Sequence, residues 1–240
     1  MIRSDRRGGP ARSGSPRRRS RRLLGALVGV ACAGVYGGWV KPRHDRWGAT
    51  DDEVVAVLPG DDHLREPATQ FTRAITIDVP PCNVWPWVVQ IGADRGGFYS
   101  YEWLENLFGL GIRNARDIVA EWQDLHVGDL VRASRDRGGG WYVVELRPDE
   151  AMVLRVADAA AGRPVRRDEP AGGEFLWTFA LRDTQDGRTR LLLRERSVFR
   201  AWLLKSLMVP VTEISFLMSR RMLLGIKASA EGRVAVAGGR

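Results

Sequence analysis

Apolar and polar residues alternate in "TRAITIDV", residues 72–79. Ile75, Ile77 and Val79 fall on one side of an extended chain and Thr72, Ala74 and Thr76 on the other, so the period of two predicts a strand. Pro80-Pro81 ends it, and "CNVWPWVVQIG" (82–92) reads as a short helix with a proline near its first turn. "GGFYSYEWLENLFGLGI" (96–112) follows as a loop and a second helix ending at Gly109 or Gly111, and "ARDIVAEWQDL" (115–125) predicts a third helical piece. Strand patterns then dominate, over 129–134, 140–148, 151–158, 174–183 and 188–199; the last two meet across a hairpin turn carrying Asp186-Gly187. Finally, Leu203, Leu204, Leu207, Met208, Val211, Ile214, Leu217, Met218 and Met222 recur at helical spacing and predict a long helix over about 201–231, kinked or restarted at Pro210. Its charges, Lys205, Glu213, Arg220 and Arg221, favour a core-facing amphipathic helix over a membrane span.

The order is one strand, two or three helices, a run of antiparallel strands and a long terminal helix. A first strand so far from the others must pair at long range, and the apolar stripe of the last helix needs a concave sheet to lie on. The expected fold is therefore α+β, a helix-grip arrangement in which a curved antiparallel sheet wraps a long C-terminal helix and leaves a cavity between them. Residues 41–71 read as an extended lead-in with one short helical pattern, Asp51 to Val57, stopped by Pro59-Gly60. Residues 232–240 read as a flexible tail.

The N-terminus changes the picture from a fold to an address. Residues 1–22 hold nine arginines against one acid, Asp5, with almost nothing to bury, and are expected to be disordered. "LLGALVGVACAGVYGGWV" (23–40) is uncharged throughout. As a helix it would reach about 27 Å, close to a hydrocarbon core of roughly 30 Å. Tyr36 and Trp39 lie near its far end, where interfacial aromatics belong. A transmembrane signal anchor is the favoured reading, with a cleaved signal peptide and a buried core helix as alternatives. The positive-inside rule puts the arginines in the cytoplasm and the domain outside it.

The net charge of +8 is the charge of that tail alone; the rest of the chain balances. Nothing in it offers a phosphate backbone a basic surface, so nucleic acid is not an expected partner. Two cysteines, Cys32 and Cys82, make no disulfide framework, and His44, His63 and His126 are scattered without metal-ligand spacing, so no metal or cofactor is expected.

Among candidate site residues, Phe98, Trp103, Leu104, Leu107 and Phe108 can form one apolar face of the second helix. Glu102, Glu105 and Asn106 then either face water or serve a site, Asn106 joining Tyr99 and Tyr101 in lending polar groups to a cavity mouth and the two glutamates acting as acid and base. In "EFLWTFAL", Phe175, Trp177, Phe179 and Leu181 share a parity assigned inward. In "RTRLLLRERSVF", Arg190, Arg194 and Arg196 share the parity taken to face water. That turns Leu191, Leu193, Glu195 and Ser197 inward and makes Glu195 either a polar anchor or a strand-end residue paired to an arginine.

"AITIDVPPCNVWPWVVQIG", "GGFYSYEWLENLFGL", "MSRRMLLGIKASAE" (218–231) and "WGATDDEV" resemble segments of the START-like, SRPBCC superfamily of polyketide cyclase/dehydrase and lipid transport proteins, in its bacterial membrane-anchored branch. The resemblance covers roughly residues 72–231. It implies a hydrophobic cavity for a lipid, sterol or polyketide-like molecule, held for transport or sensing, and carries over no catalytic residue. Tyr99, Tyr101, Asn106, Trp177, Phe179 and Glu195 are the candidate ligand-binding residues. A cyclase or dehydratase using the same cavity is the alternative, and an accessory protein whose side chains fill the cavity is a third.

Overall fold

A computed structural model describes Ala31 and residues 34–136, 138–158, 163–164, 173–199 and 204–237. The tail at 1–22 and most of the apolar run expected to span a membrane lie outside the described residues. The chain divides into two units, Met1–Arg43 and His44–Arg240. The first holds a π-helical turn, Tyr36–Val40, and the unit boundary falls within helix α1 (Lys41–Asp45). No helix among the described residues is long and apolar enough to cross a membrane.

The second unit is a mixed α+β domain. Six antiparallel strands lie in the order β1 (Thr69–Ile77), β7 (Thr189–Phe199), β6 (Gly173–Asp183), β4 (Ala151–Asp158), β3 (Gly140–Arg147), β2 (Leu130–Arg132), and two-residue β5 (Arg163–Pro164) adds to β4. The isolated first strand finds its expected long-range partner: β1 pairs with β7 from Thr69↔Ser197 to Ile77↔Thr189. Directly opposed residues share a face of the sheet. One row therefore runs Phe71–Glu195–Trp177–Leu154–Val143, and the next runs Arg73–Leu193–Phe179–Met152. These rows make the inner face, which faces helix α5 (Leu204–Ala237).

Helix α3 (Pro81–Val89) begins on Pro81, whose fixed φ suits a first helical position, and packs Val84, Trp87 and Val88 into the core against β6 and α5. Helix α4 (Glu102–Leu107) is short. The helical piece expected over 115–125 shrinks to one 3-10 turn, Ala120–Trp122. The reason is local: the Gln90 side chain donates to Asp117 O and accepts from Val119 N, so a core residue takes up the backbone groups a helix would have used. The long helix runs on through Pro210 to Ala237. Its buried stripe is Phe216, Ser219, Met222, Leu223, Ile226 and Ala230. Ile214 and Leu217, assigned to the stripe from spacing, are exposed, and 203–211 lie outside the described side chains.

The outer face departs most from expectation. Arg194 and Arg196 do not face water; they are 1% and 9% exposed. The expected extended lead-in packs over them as a strap. Its helix α2 (Asp51–Val55) starts from a Thr50–Glu53 capping box, and beyond it Leu58 packs with Ala74, Ala180 and Leu192 while Leu64 packs with Val153 and Leu176. Gly60, at φ 82°, lies so close to Val153 that an added Cβ would come within 2.5 Å of Cγ1. Arg194 spends its donors on Thr72 Oγ1, the carbonyls of Glu53, Val54 and Ala56, and Asp61 Oδ2 at 2.6 Å. Arg196 reaches the other Asp61 oxygen at 2.9 Å, and Arg190 forks onto Glu53 at 2.7 and 2.8 Å.

Asp61 is thus the sole carboxylate paired with two buried guanidinium groups among the described ion pairs. Asp61→Ala is expected to cost about 3 kcal/mol or more in urea unfolding, because it strands buried charge. Glu53→Ala, which removes a cap but leaves Arg190 its bonds to Thr76 Oγ1 and Gly48 O, is expected to cost about 1 kcal/mol. Equal losses would contradict this account of the strap.

Candidate functional site

A strand facing a helix across an apolar layer has no use for charge, yet two charged side chains of the inner face are buried in that layer. Glu195 is 5% exposed and Arg73 1%. Arg73 Nη1 donates to Glu195 Oε1 at 3.0 Å. Two serines one turn apart on α5 complete the carboxylate: Ser219 Oγ donates to Oε1 at 2.6 Å and Ser215 Oγ to Oε2 at 3.0 Å. Burial of an ion pair is tolerable when further hydrogen bonds satisfy it, and Glu195 meets that condition.

Arg73 is satisfied only in part. Its Nε donates to the His44 carbonyl at 3.1 Å, and its guanidinium lies over the rings of Phe71 and Phe216, 5.3 and 5.6 Å from their centroids. His44 stacks on Phe216 at 4.1 Å and donates Nδ1–H to Glu213 Oε2 at 2.6 Å. Arg73 Nη2 is buried without a hydrogen-bonding partner among the described residues.

Beside this polar station stands an aromatic wall. Trp177, directly opposite Glu195, has its ring 5.3 Å from Trp141, 5.0 Å from Phe179, 6.2 Å from Phe98 and 6.5 Å from Phe175. Its indole Nε1–H is likewise buried without a partner among the described residues. The expected inward parity of Phe175, Trp177, Phe179 and Glu195 therefore agrees with the structure, and Glu195 pairs with an arginine from within the core rather than at a strand end.

The candidates in 96–112 fall elsewhere. Tyr99 is buried at φ 55°, and its hydroxyl accepts from Gln90 Nε2 at 2.8 Å; burial pushes its phenol above the usual tyrosine range. Its backbone lies flush against α5 at Gly225, where an added Cβ would meet Tyr99 O at 2.4 Å. Asn106 clasps the loop, donating to Ile112 O at 2.9 Å and accepting from Ile112 N at 2.8 Å. Tyr101 is half-buried under the Arg221 guanidinium, 5.8 Å from its centroid. The three are not brought together with Glu195 by any described contact.

Arg73 escaped the sequence reading, although a signal was present: it shares the parity of Ile75 and Ile77, and a charge in phase with an apolar strand face must find a buried partner. Ser215 and Ser219 escaped because serines at i and i+4 extend an apolar stripe without interrupting it. Glu105 is a further surprise. Expected either at water or as one of an acid–base pair of glutamates, it is fully buried, with both carboxylate oxygens unpartnered among the described residues.

Two other features lie on the outer side. A hollow of about 620 Å³ is lined by Val54–Val57, Asp61, Arg65, Gln70, Arg194 and Arg196, but Arg194 is already saturated there, and the hollow follows the seam of the strap. Asp62, His63 and Glu145 bring metal-ligand atoms within 4.8 Å of one another, but Glu145 already pairs with Arg147, which offsets its charge toward a cation.

No family model matches the chain, and no curated protein matches it. Among solved structures it is similar to a Chromobacterium violaceum protein (16% identity, 68% of this chain and 96% of that chain, TM-score 0.41) and an Arthrobacter aurescens protein (16%, 75% and 92%, TM-score 0.40). It is also similar to the Aha1 dimer of Colwellia psychrerythraea (14%, 68% and 96%, TM-score 0.35).

Burial, reinforced by the neighbouring Glu102 charge, pushes the Glu105 carboxyl up to about 7. The folded protein therefore holds this proton more tightly than the unfolded chain. The resulting stability is full below about pH 4.5 and is lost as pH rises through about 7, on the order of 3 kcal/mol in all. Urea unfolding across pH 4–8 is expected to show this decline in the wild type relative to Glu105→Gln. A difference between the two that does not change with pH would contradict it.

Proposed function

We propose that the domain holds an apolar small molecule, of lipid, sterol or polyketide-like character, between the inner sheet face and α5, on the helix-grip plan of the START-like proteins it resembles. In this reading residues 23–40 tether it to a bilayer, the arginine-rich tail stays in the cytoplasm, and the domain carries or senses its ligand on the other side. What carries this reading is the pair of buried donors without acceptors among the described residues, Arg73 Nη2 and Trp177 Nε1, set among aromatic rings. Buried donors are rarely left unpaired, because each forfeits the hydrogen bond it made in water. A ligand with an apolar body and one acceptor oxygen supplies what they lack.

Binding suits the site better than turnover. Both oxygens of Glu195 are engaged, three of its four acceptor sites being taken by Arg73, Ser215 and Ser219, so it is held as an ion pair rather than set up to carry a proton. The test is native mass spectrometry of the detergent-extracted protein, with extraction of whatever co-purifies. An apolar, oxygen-bearing molecule is expected, and Trp177→Phe, which removes the indole N–H and keeps an aromatic ring, is expected to lower its affinity about five- to tenfold. A clean protein mass across repeated preparations would overturn the reading.

A further inference from the structure

Helix α4 is built inside out. Its inward side carries Glu105, fully buried and unpartnered among the described residues, while Trp103, Leu107 and the adjoining Phe108 stand 68%, 73% and 54% exposed. A surface helix of a water-soluble domain does the reverse, burying its apolar stripe and turning its carboxylates outward. The orientation is not a frayed end. Asn106 clasps both backbone groups of Ile112, Glu102 Oε1 accepts from Asn114 N at 2.7 Å, and Asn114 in turn accepts from Tyr99 N at 2.7 Å and donates to Ser100 O at 3.1 Å. Five hydrogen bonds of this kind hold the apolar side chains away from the core.

The surroundings say what covers them. Arg221 is exposed and lies over the Tyr101 ring, whose centroid is 6.3 Å from that of Trp103. Arg135 is exposed, and its backbone N–H is bonded to Leu110 O at 3.0 Å, just past the helix. Arg113, also exposed, follows the clasped Ile112. Against these three cations stand Glu102 and Asp136. A tryptophan and a phenylalanine projecting from a short helix, with a tyrosine and arginines behind them, is the composition of an element seated at a bilayer interface, rings among the acyl chains and guanidinium groups at the headgroups.

We propose that α4 is a membrane-docking element: Trp103, Leu107 and Phe108 insert into the outer part of an anionic bilayer, and Arg113, Arg135 and Arg221 meet its headgroups. This contact is separate from any span at 23–40 and does not depend on a ligand at the inner face.

The full-length protein, reconstituted in phosphatidylcholine–phosphatidylglycerol vesicles with brominated acyl chains, tests it. Bromine quenches only indoles within the bilayer, and Trp103→Phe isolates one of the nine tryptophans while leaving any span intact. Quenching is expected to fall in Trp103→Phe and to return when Phe108→Trp is added to that variant. Charge reversal at Arg113, Arg135 and Arg221 is expected to reduce the quenching of Trp103. Unchanged quenching in Trp103→Phe together with none gained in the Phe108→Trp variant would overturn the proposal. A detergent-solution dimer dispersed by Leu107→Ser would overturn it too, by showing that a second copy covers the patch.

Discussion

The buried pair of Arg73 and Glu195 constrains everything around it. It joins the first strand of the domain to the last, 122 residues apart, and through Ser215 and Ser219 it fixes the long helix over the sheet. A hydrophobic contact would tolerate the helix sliding by a fraction of a turn. A carboxylate held by two hydroxyls one turn apart tolerates far less, because a slide leaves charge in an apolar layer without its hydrogen bonds. The aromatic wall is set by the same register, since Trp177 stands opposite Glu195 and Phe179 opposite Leu193.

Strand β7 has charge on both sides and needs a cover on both. Inward, α5 supplies serines. Outward, Arg190, Arg194 and Arg196 need acceptors, and the strap supplies Glu53, Asp61 and several backbone carbonyls. The segment before β1 is therefore part of the folded domain. Its two leucines, Leu58 and Leu64, cover the outer face against Ala74, Ala180 and Leu192 and against Val153 and Leu176. The same arrangement places Val55 and Val57 at the surface, 79% and 85% exposed, as the side of the strap that the sheet does not use.

Period-two alternation places every strand except the two-residue β5 to within about three residues, and the order of elements requires a long-range partner for β1 without saying which, because both are local patterns or consequences of chain connectivity. The inward parity of Trp177, Phe179 and Glu195 was legible for the same reason. What was hidden depends on partners distant in sequence. Alternation says that Arg194 and Arg196 lie opposite Leu193, but only the strap decides that the opposite side is dry. Spacing says that Glu105 and Phe108 are neighbours on a helix, but only the clasp of Asn106 on Ile112 decides which of them turns inward. The stripe on α5 keeps Met222 as expected but passes from Ile214 and Leu217 to Phe216 and Ser219, because a buried serine carries no hydrophobic signal.

The central claim is that Arg73 and Glu195 act as a single unit that locks helix to sheet. A double-mutant cycle measures this directly, using urea unfolding of Arg73→Met, Glu195→Leu and the double variant. Each single substitution strands a buried charge and is expected to cost about 3–5 kcal/mol, while the double variant, which strands none, should be no less stable than either. Losses that simply add would contradict the claim, because two independent side chains, not a pair, would then be holding the helix in place.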